Sequence, residues 1–199
     1  MKYENMTDVL AEKQIGNYAL KKFTIDYNNF RASLAGIPCG EYIALYGPDN
    51  NGCGTTLLMS NTPMEKRTNS NFVLKANGDV LIAGLGLGLI ILPIQNKPEV
   101  NSITVIEKSK EVIEMVSSQL PLNDKVKIIN DDVFKYTPEC KYDTIYLDIW
   151  PYVNEDVYEE EMKPLKQKYR KYLVSKSKNP NRFLKCWAEL EARYGKPLY

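Results

Sequence analysis

An α/β protein built around a parallel sheet is what these 199 residues predict, on three observations. The middle of the chain holds strand-like runs, among them DVLIAG (79–84) and SITVIE (102–107), apolar enough to be buried on both faces. Helical patterns separate these runs, and strands alternating with helices make βαβ units. The first run also leads straight into a glycine-rich turn, Gly84-Leu85-Gly86-Leu87-Gly88, followed by a short apolar helix.

Taken in order, the first 63 residues read as a β-rich extension. NYALKKFTID is a strand, and NNFRASLAG is a helical turn or two ending at Gly36. EYIALY (41–46) and TTLLMS (55–60) are two further strands, joined by a loop of Gly, Pro, Asn and Asp. Met64 to Ala76 is helical and is closed by Asn77-Gly78. DVLIAG and SITVIE are the first two strands of the main sheet, KVKIIN (125–130) the third and YDTIYLD (142–148) the fourth. SKEVIEMVSSQL is a helix with Val112, Ile113 and Val116 on one face. Residues 64–152 thus form the main domain, and 153–199 read as a helical tail with no further strand. In that tail, NPNRFLKCWAELEARYG sets Phe183, Trp187, Leu190 and Tyr194 on one stripe, with Asn179 as cap and Pro180 at the first helical position.

Composition narrows the chemistry. Lys and Arg total 26 against 25 Asp and Glu, so net charge favours neither nucleic acid nor a membrane as partner. No apolar run reaches the ~18 residues of a membrane span, the N-terminus lacks the pattern of a signal peptide, and four scattered cysteines fit a reducing cytoplasm. They form no C-x-x-C pair, and no metal site is expected. With no histidine, proton transfer near neutral pH falls to Asp, Glu, Tyr, Lys, Cys or water.

Several acids stand at strand ends. Glu107 ends the second strand 23 residues after Gly84, where a carboxylate can hold both hydroxyls of a ribose. Asp132 follows the third strand, as acceptor from an adenine amine or as a helix cap. Asp148 ends the fourth. Ligands of open α/β sheets bind outside the carboxyl ends of the strands, so one crevice would gather all three.

Residues 79–152 resemble the class I S-adenosylmethionine-dependent methyltransferases, and among them the spermidine synthase-like branch. VLIAGLGLG resembles that branch's glycine motif, with Ile82 where most methyltransferases carry an acid. VIEKS, INDDVF and YDTIYLDIWPY resemble its later motifs. The resemblance implies a Rossmann-like sheet and S-adenosylmethionine as cofactor. It places Gly84, Leu85, Gly86, Gly88, Glu107, Lys108 and Asp132 around that cofactor, with Asp148 catalytic and Trp150 and Tyr152 at the substrate.

Three departures leave alternatives open. Asp148-Ile149-Trp150-Pro151 lacks the second acid of the D-x-x-D found in spermidine synthases, which weighs against a polyamine-type aminopropyltransferase. Leu89 stands where a G-x-G-x-x-G dinucleotide fingerprint ends in glycine, which weighs against a nicotinamide oxidoreductase. The family's sheet continues past the fourth strand, whereas this tail reads as helices. N-terminal strands would then complete the sheet, or a partner chain in a homo-oligomer would, or the fold is a reduced one that binds the cofactor without catalysis.

Two other stretches carry competing readings. GPDNNGCGTTLL (47–58) imitates a phosphate-binding loop, but Gly54 precedes Thr55 where a lysine is needed, so a hairpin connection is the better reading. Lys163 to Lys185 holds nine basic residues and no acid. Its Leu165, Tyr169, Tyr172 and Leu173 form an apolar stripe, so it reads as a packed helix with a solvated face, or else as an arm for a nucleic-acid acceptor in place of a small molecule.

Overall fold

A computed structural model describes residues 3–34, 36–49 and 55–198. The chain opens with α1 (Met6–Val9), β1 (Lys13–Ile15), β2 (Tyr18–Ile25), α2 (Phe30–Leu34), β3 (Gly40–Pro48) and β4 (Thr55–Ser60). These four strands form an antiparallel sheet in sequential order. Gly47 pairs with Thr56 inside the β3–β4 hairpin, so the first glycine of the apparent phosphate loop is a strand residue. Positions 50–54 of that loop lie outside the described residues.

Next come α3 (Pro63–Lys75), β5 (Gly78–Ala83), α4 (Ile91–Gln95), β6 (Val100–Glu107) and α5 (Lys110–Val112), which runs on as a π-turn over Ile113–Ser117. Then follow β7 (Val126–Asn130), β8 (Thr144–Leu147), α6 (Glu155–Val157) with a second π-turn at Tyr158–Met162, α7 (Lys163–Arg170), β9 (Phe183–Cys186) and α8 (Glu189–Tyr194). The second sheet runs β7-β6-β5-β8-β9 with every pairing parallel. This is a Rossmann-like α/β fold. Among the described residues, no helix is long and apolar enough to cross a membrane.

The sheet's apolar runs are explained by its two covered faces. Val80 and Ile82 of β5 pack with Phe72, Val73, Leu87, Ile91 and Val116 on one side. Leu81 and Ala83 pack with Met162, Leu165 and Tyr169 on the other. Successive strand residues point to opposite faces, so a strand covered on both sides has no polar position to spare. Lys97 ties α3 to the sheet: its buried ammonium donates to the carbonyl oxygens of Val73, Leu74 and Ala76 at 3.2, 2.9 and 2.8 Å. These groups end the helix, where a cation also meets the negative pole of the helix dipole.

The tail is where the sequence reading fails. Phe183–Cys186 is a strand, and it extends the sheet beside β8. Asn179 and Pro180 cap no helix there. The Asn179 amide donates to Asn77 Oδ1 and Asp143 Oδ1 at 2.7 and 2.8 Å, pinning the turn that leads into β9. The expected stripe splits accordingly: Phe183 and Trp187 are buried, whereas Leu190 and Tyr194 are more than half exposed. Tertiary context decides this segment, because β8 would otherwise leave an edge of unpaired peptide groups. The sheet therefore gains its fifth strand from the tail, and the N-terminal strands form a sheet of their own.

The basic segment folds as a packed element. Leu165 and Tyr169 are buried against the sheet. Lys163 pairs with Glu159, Lys166 with Glu189, Lys168 donates to the Val133 and Phe134 carbonyls, and Arg182 to that of Val174.

Candidate functional site

The parallel register brings Ala83, Glu107, Asn130, Leu147 and Cys186 to one edge of the sheet. The strand order reverses at β5, which has β6 on one side and β8 on the other, and the crevice of an open α/β sheet lies at that point. A cavity of about 720 Å³ occurs there. Its floor is the strand ends, and Tyr18, Leu45, Leu58 and Met59 of the N-terminal sheet close over it.

The turn after β5 makes the closest approach. Gly84 has φ +96°, and a Cβ there would stand 2.0 Å from the Asp148 carbonyl oxygen. Only glycine lets β5 and β8 converge so tightly at their ends. Gly88 has a different task, since a Cβ on it would strike Leu120 at 2.3 Å, and it does not line the cavity.

Glu107 joins the glycine turn to β6. One carboxylate oxygen accepts from Leu85 N at 2.9 Å and the other from Ser109 N at 2.8 Å. A carboxylate offers about four acceptor positions, so acceptor capacity remains for a ligand hydroxyl. Burial pushes this carboxyl upward, and the amides of Leu85, Ser109 and Lys108 oppose that shift. Asp132 accepts from Phe134 N at 2.9 Å and faces the Lys108 ammonium at 3.4 Å. Partial burial pushes Asp132 up, but the Phe134 amide and the Lys108 charge outweigh it and hold the carboxyl below its ordinary value. Lys108 is mostly exposed, so the pair adds at most about 1 kcal/mol to stability.

Asp148 lies across β5 from Glu107. Burial, with the nearby charge of Glu65, raises its carboxyl well above the ordinary carboxylate range. Glu65, in the first turn of α3, is 7% exposed and lines the same cavity. Burial raises it to about 7, against the lowering effect of a hydrogen bond from the Ser60 backbone. Trp150 is buried in the cavity wall with Nε1 donating to Glu161 Oε2 at 2.7 Å.

Of the residues singled out in the sequence, Gly84, Leu85, Gly86, Glu107, Lys108, Asp132, Asp148 and Trp150 all line this one cavity. Gly88 and Tyr152 do not, and Tyr152 is half exposed. Sequence reasoning missed Met59, Glu65, Glu161 and Trp187 in the wall. Glu65 was hidden because an acid in a helix's first turn is ordinary. The readable signal was its spacing: Glu65, Asn69, Phe72 and Val73 form one buried stripe, and a carboxyl on an apolar stripe needs a reason.

Neither a family profile nor a curated protein matches this chain. Solved structures match it in part. A DhpI complex with SAM and HEP shares 18% identity at a TM-score of 0.42, over 55% of this chain and 49% of that one. The N-methyltransferase NodS from Bradyrhizobium japonicum WM9 shares 15% at 0.46, over 57% and 65%. The plantazolicin methyltransferase BpumL, complexed with a triazolic desmethylPZN analog and SAH, shares 21% at 0.40, over 56% and 42%. This chain thus spans between 42% and 65% of the length of these proteins. These are likenesses of chain path alone, and the chemistry of the cavity rests on its own residues.

Proposed function

We propose that the chain is an S-adenosylmethionine-dependent methyltransferase of the class I type, acting on an amine or other nucleophile of small-molecule size. One observation carries the reading. The glycine turn, Glu107 and Asp132 line one half of a single cavity at the reversal point of a parallel sheet, and Asp148 lines the other. The first three suit a nucleoside. Glu107 has acceptor capacity left for ribose hydroxyls, and Asp132 has one oxygen facing only the exposed Lys108, which an adenine amine can share.

When bound, S-adenosylmethionine supplies a methyl group on a sulfonium, which passes to a nucleophile while the C–S electron pair stays on sulfur. The chain's own residues then have little chemistry to perform beyond alignment and proton removal. Asp148 stands where it can orient the nucleophile and take its proton. Trp150, held by Glu161, gives the same end an aromatic wall. Ile82 is wholly buried among apolar residues, so β5 itself offers no acid to the cofactor, as in the spermidine synthase-like branch that the glycine motif resembles.

The purified protein should carry S-adenosylmethionine or its demethylated product, detectable by mass spectrometry, and should release label from methyl-tritiated cofactor to a small amine. A protein that carries neither and is unaffected by added cofactor sinks this reading.

A further inference from the structure

Two carboxyl groups, Glu65 and Asp148, line the cavity away from Glu107 and Asp132. Tyr146 is on β8, and Asp148 follows two residues later, just past the strand, where its N–H still donates to the Ala83 carbonyl at 2.9 Å. The two side chains therefore project to the same side of the sheet. Tyr146 donates through its hydroxyl to Asn69 Oδ1 on α3 at 2.9 Å, and its ring stacks on Phe72 of that helix at 4.2 Å. Glu65 stands one turn before Asn69 on the buried stripe of α3. Asp148 therefore looks toward Glu65, and both line the cavity.

Among the described residues lining the cavity, no cation lies at this pair. Every charged side chain lining the cavity is a carboxyl except Lys108, which lies at the opposite end against Asp132. An aromatic group is present instead. Trp187 lines the cavity, with its indole N–H donating to Thr68 on α3 at 3.0 Å, and Trp150 completes the wall. Two carboxyls and two indoles around a cavity make a setting for an ammonium group, which carboxylates attract by charge and indoles by the negative ring face.

We propose that Glu65 and Asp148 together seat the ammonium group of the acceptor, so that the substrate class is a cationic amine and Glu65 is a second catalytic residue. This rests on the methyl-transfer reading above and deepens it. Two carboxyls this close share one proton when no cation is near. Entry of the ammonium displaces that proton to solvent, and both carboxylates then face the cation. One of them next takes a proton from the ammonium nitrogen, which frees the amine lone pair and returns the pair to its singly protonated state. Phenols and carboxylic acids gain nothing from such a seat, and an anionic acceptor is repelled by it.

The test is calorimetric titration of the full chain with n-butylamine and spermidine, using n-butanol as the neutral isostere, in the presence of S-adenosylhomocysteine. The amines should bind at least tenfold more tightly than butanol. Repeating the titration in buffers of different ionisation enthalpy should show release of about one proton per amine. Glu65→Gln should weaken amine binding about tenfold and abolish proton release, with the affinity for S-adenosylhomocysteine unchanged. Asp148→Asn should do the same, which covers the case of one variant failing to fold. Equal binding of butylamine and butanol overturns the proposal. So does a Glu65→Gln protein that binds amines normally but S-adenosylhomocysteine poorly, because the pair would then serve the cofactor's own ammonium. If the wild-type protein binds no S-adenosylhomocysteine, the methyl-transfer reading fails, and amine titrations without it still decide whether the seat exists.

Discussion

Replacing Glu65 by Gln should stabilise the protein at pH 8 and leave it almost unchanged at pH 5. The carboxyl ordinarily titrates at 4.5, and burial in the folded chain raises it to about 7. The folded state thus holds this proton more tightly than the unfolded chain does. The favourable contribution is complete below the unfolded value and is lost as pH rises through about 7. Ionising a group displaced this far costs on the order of 3 kcal/mol. Gln keeps the size and an acceptor for the Ser60 backbone, but never ionises. Asp148 adds to the effect with the same sign, since Glu65 is one of the causes that raise it. At about 2–4 °C per kcal/mol for a chain of this size, the variant should melt roughly 10 °C above wild type at pH 8. Thermal denaturation followed by circular dichroism at pH 5, 6, 7 and 8 gives the comparison. Parallel melting curves for the two proteins across that range would refute the buried pair.

Three further outcomes follow from the packing and the site. Lys97→Met strips three carbonyls at the end of α3 of their buried donor, and urea unfolding should show a loss on the order of 2–3 kcal/mol. Phe183→Ala empties a core position next to Phe72 and Tyr146 and should cost about 3–5 kcal/mol, whereas Leu190→Ala should be close to neutral; equal costs would restore the single helical stripe in place of β9. Asp148→Asn should spare nucleoside binding and lower amine methylation by a factor of about 10² or more, measured as tritium transfer, and unchanged turnover would remove Asp148 from the chemistry.

Much of the parallel sheet was legible because its strands are covered on both faces. Burial of that kind forces continuous apolar runs such as VLIA, and Gly84 directly after that run is forced by its contact with the Asp148 backbone. Glu107, Asp132 and Asp148 were legible for a related reason: parallel strands end together, so acids at strand ends share a crevice. The fifth strand was not legible. FLKC has two apolar ends and a mixed middle, and its strand character comes from the open edge of β8 rather than from its own pattern. Trp187 entered the cavity wall only with that strand. Glu65 was missed because its helix precedes the parallel sheet in sequence, and nothing local says that the first turn of α3 reaches the end of β8.

Calorimetric titration with S-adenosylmethionine probes the proposed nucleoside seat built on Glu107. Wild type should bind with one site per chain, and Glu107→Ala should lose binding, because the ribose hydroxyls lose their shared acceptor and the Leu85 amide its partner. A Glu107→Ala protein that remains folded and binds with unchanged affinity would contradict the claim.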